Sequence, residues 1–361
     1  MNNICESSST DYSLSEGQKT ILDIFRITAA LFVLFGHGFS FFQCTIFKDQ
    51  SYFPYIQNIG VVLLFLISGF LTTYSLEKNN NNHNYTFSKF FSHKASRIYR
   101  EYIPGLVIIS IVDFISININ GDRYMYYNAY NIRQFFSNLF MLQNMGPYGI
   151  LGHYCIPFGS ARPLWTLSIE WWIHMLFGSM FLVLKNKERI TIINSIIIGI
   201  SILMCAEYII TGRGAGLGFV FAIGVLSFYL YKLIDQRLAW RCLFLSIILY
   251  IAYGLLYKEA YTVYSFLILG LLFCSTLKVA DVFGNKRSTF LAFISKSTFM
   301  LYLVHYSIFD LLVNSDIIVN NNEKFLIGII CSSIISLFVC WVFRENRFYS
   351  FHKIQMKNSR K

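Results

Sequence analysis

The stretch LDIFRITAALFVLFGHGFSFF, residues 22–42, is long and apolar enough to cross a membrane as a helix, because roughly 20 apolar residues span the hydrocarbon core. Arg26 near its beginning and His37 near its end are ionisable residues within this apolar stretch. They are about three helical turns apart, so their side chains lie near one helix face, roughly 16 Å apart along the axis. Ionisable groups at membrane depth cost at least about 2.5 kcal/mol to insert and mark functional cavities. The pair therefore predicts a functional site within the membrane.

Apolar stretches of this kind recur along the whole chain. Of its 361 residues, 55% are hydrophobic and 14% are charged, whereas a soluble domain carries about 25% charged residues. Runs bounded by charges, Asn clusters, Gly or Pro predict transmembrane helices near 21–43, 58–76, 103–119, 164–184, 190–210, 216–231, 242–257, 261–277, 293–313 and 324–343. Only Lys258 and Glu259 separate the seventh and eighth runs, so a count that differs by one pair is the alternative. The sequence predicts an all-α polytopic membrane protein with about ten transmembrane helices.

The basic residues predict the orientation of the chain. Short cytoplasmic loops are enriched in Lys and Arg, and with the N-terminus inside, 22 of the 30 fall on the cytoplasmic side and seven on the other. We therefore expect both termini in the cytoplasm, with residues 1–20 as an N-terminal tail, 21–345 as the membrane domain and 346–361 as a basic tail. Residues 1–20 are polar and acidic and show no pattern of a cleavable signal peptide.

The net charge of +11 does not indicate a nucleic-acid partner, because the basic residues are dispersed over the inner loops and form no single stripe. The enrichment of basic residues in cytoplasmic loops and their attraction to anionic lipid of the bilayer account for the net charge. The eight cysteines show no CxxC or CxxxC spacing, so no metal site is predicted. Cys44 and Cys155 both fall on the predicted outer side, where a disulfide between them is an open alternative.

The stretch SARPLWTLSIEWWIHM, residues 160–175, contributes a buried carboxylate. A helix that enters here from the outside carries Glu170 about 10 Å deep by helical rise, and His37 lies about 6 to 10 Å from the same surface. We therefore expect the two at similar depth, where a carboxylate beside a histidine fixes its tautomer and raises its basicity. The alternatives are structural: Arg26 reaches the inner interface, His37 makes an interhelical hydrogen bond, and a protonated Glu170 joins two helices.

The segment 118–163 on the predicted outer side is rich in Tyr, Asn and Gln. Such a composition suits stacking on sugars, and it equally suits a cap on the helix bundle. Within it, FFSNLFMLQN, residues 135–144, is an apolar patch suited to the membrane interface.

Six motifs occur in an order that resembles acyltransferase family 3 of integral membrane proteins. They are LDIFRITAALFVLFGHG at 22–38, GVVLLFLISGFL at 60–71, FFSHKASRIYREYIPGL at 90–106, LFMLQN at 139–144, PLWTLSIEWW at 163–172 and STFMLYLVH at 297–305. The resemblance covers about residues 21–345. Each motif alone is loose, and their common order on a ten-span chain is what carries the resemblance.

The resemblance implies transfer of an acyl group, commonly acetyl from cytoplasmic acetyl-CoA, to a carbohydrate hydroxyl on or beyond the far face of a bacterial inner membrane. His37 matches the family's essential histidine, Arg26 its arginine partner and Glu170 the glutamate of its LSIE motif. Arg97 and Arg100 match a basic RxxR motif associated with the donor. The chain departs from the family in reading FRITAAL for LRGIAAL and in placing Trp171 where a second carboxylate is common. The acceptor this implies is a polysaccharide unit such as an O-antigen repeat or a lipid-linked oligosaccharide, and no permanently bound cofactor is expected.

Donor recognition is also consistent with elementary electrostatics. Lys94, Arg97 and Arg100 lie at i, i+3 and i+6 and form a basic face that can pair with the phosphates of coenzyme A; ordinary positive-inside charge is the alternative. Arg26 is placed at the cytoplasmic mouth of the route for the pantetheine arm. His305, near mid-membrane, is expected to line this route or to take part in proton movement, with a structural hydrogen bond as the alternative.

The chemistry predicted from these residues is acid–base catalysis of acyl transfer. His37 acts as a general base on the acceptor hydroxyl while Glu170 orients His37 or the acceptor; an acyl-histidine intermediate is a second route. Two other classes of function remain. A proton-coupled exporter of a glycolipid or sugar also uses intramembrane Arg, His and Glu, but the sequence has no apparent inverted repeat. A non-catalytic partner in polysaccharide assembly is the other alternative.

Overall fold

The protein is a bundle of α-helices. The computed structural model describes residues 13–43, 56–80, 82, 84–143, 155–186, 191–210, 212, 214–257, 259–283, 286–315 and 318–343. These residues form eleven α-helices and no β-strand: α1 (Glu16–Phe42), α2 (Ile56–Lys78), α3 (Phe87–Asn120), α4 (Ile132–Leu139), α5 (Leu164–Asn186), α6 (Ile192–Ile210), α7 (Leu217–Leu233), α8 (Gln236–Leu256), α9 (Val263–Ala280), α10 (Thr289–Asn314) and α11 (Asn321–Val342). A single 3₁₀ turn, Gly121–Arg123, follows α3.

The predicted all-α membrane architecture is confirmed, since a long helix occupies each of the ten predicted positions. Eight helices among the described residues are long and apolar enough to cross a membrane. The other two long helices are α7, which has 17 residues, and α10, whose polar residues His305, Asp310 and Asn314 are buried inside the bundle. Helices α8 and α9 are separate, as predicted.

Helix α1 begins at Glu16, before the predicted start at residue 21. A capping box fixes this start: the Ser15 side chain accepts a hydrogen bond from the backbone N–H of Gln18, and the Gln18 side chain accepts one from the backbone N–H of Ser15. Gln18 is buried and also donates to the carbonyl of Leu277 in α9 (3.4 Å). The helix extension therefore packs into the bundle. Residues 1–12 of the predicted N-terminal tail and the predicted tail 346–361 lie outside the described residues.

Helix α3 begins at Phe87, well before the predicted start at 103, and continues through Pro104. Proline removes one backbone donor and normally ends or kinks a helix, and the preceding residues are too charged for a hydropathy signal. The continuous helix places the basic motif 93–100 and the membrane-embedded half of α3 on one rigid element. The spacing of Lys94, Arg97 and Arg100 is therefore helical, as predicted.

The short helix α4 lies in the predicted outer segment and holds the loop after residue 155 in place. Its Asn138 donates to the carbonyl of Ile156 (2.8 Å) and accepts from the backbone N–H of Phe158 (3.0 Å). Tyr102 of α3 donates to the Asn138 carbonyl (2.9 Å). The loop that leads into α5 is thereby fixed against α3, while Phe136 on the opposite face of α4 is exposed.

Helices α1, α2 and α10 form the centre of the bundle, with α1 packed against both of the others. Helix α7 packs closely on α2 through two glycines. A Cβ atom on Gly69 would overlap the carbonyl of Phe221, and one on Gly224 would overlap the carbonyl of Leu66. Small residues allow such close approach between membrane helices. This contact fixes α2, which borders both cavities described below.

Candidate functional site

Two cavities lie along α1, one toward each of its ends. The first, here the basic cavity, has a volume of about 600 Å³ and is lined by Arg26, Lys94, Arg97, Arg100, Glu170 and Lys296, among others. The second, here the histidine cavity, has a volume of about 490 Å³ and is lined by His37, Tyr126, Arg162, Trp165, Tyr261 and Tyr306, among others. Arg26 and His37 of the first helix therefore line different cavities.

The basic cavity is lined by cationic side chains from α1, from α3, and from α10 with the loop before it. Arg26 comes from α1, Lys94, Arg97 and Arg100 from α3, and Arg287 and Lys296 from the start of α10. All four basic residues predicted to act together, from Arg26 to Arg100, are brought together here. A cavity with six cationic groups and two carboxylates attracts a polyanion.

A buried carboxylate, which the sequence reasoning missed, organises two of these cations. Asp23 is 1% exposed and accepts from Arg287 Nε (2.6 Å) and Nη2 (2.9 Å). Arg26 Nη1 lies 3.6 Å from the same carboxylate. The hydrogen bond from Arg287 to Asp23 raises the pKa of Arg287, which lies in the loop before α10. Arg26 is thus one member of an ion cluster at the edge of the cavity.

Glu170 belongs to a second cluster, which includes two residues that the sequence reasoning missed. Ser68 Oγ of α2 donates to Glu170 Oε1 (2.5 Å) and lies 2.9 Å from His174 Nε2. His174 Nδ1 lies 2.7 Å from the Glu170 carbonyl, so Nδ1 carries the proton and Nε2 is an acceptor in the neutral ring. The single hydroxyl proton of Ser68 can therefore be donated either to Glu170 Oε1 or to His174 Nε2. Lys94, which also lines the basic cavity, donates to Thr72 Oγ1 (2.9 Å).

The structure corrects the expected pairing of Glu170 with His37. Glu170 is six residues from the start of α5 and His37 five from the end of α1, so their depths are similar by helical rise. However, Glu170 lines the basic cavity and His37 the histidine cavity. Helical rise gives depth along an axis, whereas the neighbours of a side chain depend on helix rotation and on what packs between. Here Thr166, one turn before Glu170, lies between the two cavities.

His37 is instead paired with His305, and His305 is not among the described residues that line the basic cavity. The two rings stack with centroids 5.4 Å apart and planes inclined by 28°. Tyr306 packs its ring edge-on against His37 at 5.2 Å. His305 is 1% exposed, its Nδ1 donates to the Leu301 carbonyl (3.0 Å), and its Nε2 has no hydrogen-bond partner in the part of the chain that the structure describes.

Three side chains line both cavities: Val61 of α2, Thr166 of α5 and Tyr302 of α10. Thr166 Oγ1 and Tyr302 OH are 2.5 Å apart. Each also lies within hydrogen-bonding distance of the Pro163 carbonyl, at 3.1 and 3.0 Å. We call this group the partition.

Two further expectations concern metals and disulfides. Within the described ranges, no group of three or more His, Cys, Asp or Glu side chains is placed to hold a metal ion. The disulfide that the sequence left open involves Cys44, which lies outside the described residues; its proposed partner Cys155 is half-buried.

Comparison with known proteins gives one family and two relatives. A family model described as an acyltransferase domain matches residues 19–345. The chain is 26% identical over 186 residues to an O-acetyl transferase of Shigella phage Sf6, a match that covers 50% of this chain and 51% of the relative. It is 23% identical over 186 residues to Nodulation protein 10 of Rhizobium leguminosarum bv. viciae, over 48% and 47% of the two chains. The chain thus spans about half the length of the curated relatives it matches, and no solved structure matches it.

Proposed function

The chain belongs to acyltransferase family 3, and on that premise we propose that it is a membrane-bound O-acyltransferase that uses acetyl-CoA. The acceptor is a hydroxyl of a cell-surface carbohydrate, such as an O-antigen unit, another polysaccharide or a lipid-linked oligosaccharide. The name of the phage relative, an O-acetyl transferase, supports both the acetyl group and the oxygen acceptor. Location in a bacterial inner membrane, with both termini in the cytoplasm, is part of the same proposal.

The observation that carries the proposal is the division of the site into a cationic half and an imidazole half. Coenzyme A is a polyanion on a long flexible arm. Arg97 and Arg100, on the exposed end of α3, can pair with its phosphates, because charge-assisted contacts to phosphate are strong. The arm then runs past Glu170 and Ser68 toward the partition. In this assignment the two serve the donor arm, and neither acts on the acceptor.

His37 is the residue we assign to the acceptor. The cavity around it carries Tyr126, Trp165 and Tyr306, whose rings can stack on a sugar, and Arg162, which can hydrogen-bond to it. His37 takes the hydroxyl proton as the hydroxyl oxygen attacks the thioester carbonyl; the new C–O bond forms, the C–S bond breaks and the coenzyme leaves as its thiolate. The thiolate is then protonated, so the reaction consumes no net proton. A positioned base of this kind contributes about 10²- to 10⁴-fold in rate.

An acyl-histidine route is the second version of this chemistry. His37 would accept the acyl group itself and pass it to the hydroxyl in a separate step. Rapid-quench capture of labelled enzyme before acceptor is added distinguishes the two, because only the covalent route leaves label on His37.

The proposed function is tested with purified protein, acetyl-labelled acetyl-CoA and extracted cell-surface glycan. The enzyme consumes the donor and labels the glycan, whereas an exporter or a non-catalytic assembly partner leaves the donor intact. Comparison of surface glycans by mass, with and without the gene, then identifies the acceptor through the loss of acetyl groups. Intact acetyl-CoA after incubation with folded protein and competent acceptor would exclude the function.

A further inference from the structure

The partition of Val61, Thr166 and Tyr302 is the place where the two cavities come closest. All three side chains are buried, between 5% and 7% exposed, and each lines both cavities. They come from three helices, so the partition is a packed junction and does not belong to a single loop. Whatever passes between the cavities within the described part of the chain passes these side chains.

The polar half of the partition is held by a small set of hydrogen bonds. Thr166 and Tyr302 hydroxyls lie 2.5 Å apart, and both are within reach of the Pro163 carbonyl. Three short contacts connect the two hydroxyls and the carbonyl, but the hydroxyls carry only two protons between them. One hydroxyl therefore donates to the Pro163 carbonyl, and the other donates to the first hydroxyl. The pair is therefore tied to the backbone just before the start of α5.

The acyl group must lie at this junction during transfer. In the proposed function the coenzyme phosphates stay in the basic cavity, while the acceptor and His37 are in the histidine cavity. Reacting atoms must approach to about 3–3.5 Å before a bond forms. The thioester carbonyl therefore comes to the partition, and the alkyl part of the acyl group packs against its side chains.

We propose that Val61, Thr166 and Tyr302 select the acyl group by length, admitting acetyl and excluding longer chains. The inference rests on the proposed function and adds the substrate class of the donor side. Protein interiors are packed closely enough that one added methylene is felt, and an apolar site discriminates one methylene by about 10- to 200-fold. The apolar wall is Val61 together with the Thr166 methyl group.

The experiment measures kcat/KM for acetyl-CoA and propionyl-CoA with the purified full chain and one acceptor. The wild type is expected to prefer acetyl by about tenfold or more. Val61→Ala removes two methyl groups from the partition and should raise the propionyl-to-acetyl ratio by about tenfold. Thr166→Ser keeps both hydrogen bonds but removes one methyl group, and it should raise the ratio less.

Matched controls separate selection from general damage. Val62→Ala makes the same change at the neighbouring residue, which is 0% exposed and lines neither cavity, so its ratio should stay at the wild-type value. Tyr302→Phe removes the hydroxyl from the partition and should raise the ratio, whereas Tyr208→Phe, which removes a buried hydroxyl bonded to Ser168 (2.6 Å), should not.

The outcomes distinguish the two proposals. If wild type transfers acetyl but also propionyl equally well, or if Val61→Ala and Thr166→Ser both keep the wild-type ratio, the partition does not select length and the proposed function stands. Selection by the partition is likewise excluded if Val62→Ala shifts the ratio as much as Val61→Ala. If folded wild type transfers no acyl group at all, the proposed function fails and the selection falls with it.

Discussion

His37 of α1 and His305 of α10 stack with ring centroids 5.4 Å apart and planes inclined by 28°, and His37 lines the cavity that lies away from the cationic one. His37→Ala is therefore expected to lower acyl transfer by about 10²- to 10⁴-fold while acetyl-CoA still binds. Transfer of labelled acetyl and calorimetric binding of acetyl-CoA measure the two separately. His93→Ala, an exposed change on α3, is the control. Lost coenzyme binding, or near-normal turnover in correctly inserted protein, would contradict the general-base assignment.

His305 is expected to support His37 and not the donor. His305→Asn keeps a donor for the Leu301 carbonyl but removes the buried Nε2 that has no partner among the described residues. We predict a kcat lower by about tenfold, with the KM for acetyl-CoA unchanged and a thermal midpoint close to wild type. A higher KM for acetyl-CoA at constant kcat would return His305 to the donor route that the sequence suggested.

Arg97 and Arg100 line the basic cavity from adjacent turns of α3. The double variant Arg97→Ala, Arg100→Ala should raise the KM for acetyl-CoA about 100-fold or more, because hydrogen bonds to charged groups contribute about 1.5–3 kcal/mol each. The acceptor KM should not change. Arg237→Ala with Arg241→Ala removes two exposed charges from the start of α8 and serves as control. An unchanged donor KM would refute the donor assignment.

Glu170 lines the basic cavity together with Lys94 and Arg97, and in the proposed function it serves the donor arm. Glu170→Gln retains an oxygen that accepts from Ser68, so turnover should fall less than in His37→Ala, and the acceptor KM should stay constant. Steady-state kinetics with each substrate varied in turn give both values. Glu207→Gln, a buried change on α6, controls for the removal of a buried carboxylate. A selective rise in acceptor KM would place Glu170 with the acceptor after all.

Asp23 anchors Arg287 and Arg26 at the edge of the basic cavity. Asp23→Asn should lower the free energy of unfolding by about 1–3 kcal/mol, a value reduced from that of a fully buried pair because the Arg287 side chain is 31% exposed. Chemical unfolding in detergent measures it. Glu16→Gln breaks an exposed pair with Lys19 on the same helix and should change stability far less. Equal losses in the two variants would mean that burial of Asp23 contributes nothing.

The helices were predictable because apolar runs of membrane length report directly on burial in lipid. Three helix starts lie five or more residues before the predicted positions. Glu16 begins α1 through a capping box, and Phe87 begins α3 in a charged stretch that reads as a loop ahead of Pro104. Helix α8 begins at Gln236 instead of residue 242, with Asp235 as its N-cap. In each case the helix extends beyond the apolar run, where hydropathy carries no signal and capping or packing decides the start.

Most residues of the candidate site were predictable from the sequence, whereas the contacts between them were predicted less well. The basic residues cluster as expected, since their helical spacing already places them on one face. Glu170 and His305 were assigned the wrong neighbours, because helix rotation depends on packing such as the Gly69–Phe221 contact. The sequence does carry a signal for His174, which lies four residues after Glu170, one turn along the same face. Asp23, three residues before Arg26, had the same kind of signal.

The partition also bears on the permeability of the membrane to protons and small ions. Cavities of about 600 and 490 Å³ lie on its two sides, so among the described residues these three side chains are the ones that separate the two cavities. Val61 and the paired hydroxyls must hold back protons and small ions against the electrical potential across the membrane. A partition widened to admit larger groups would therefore also tend to leak current.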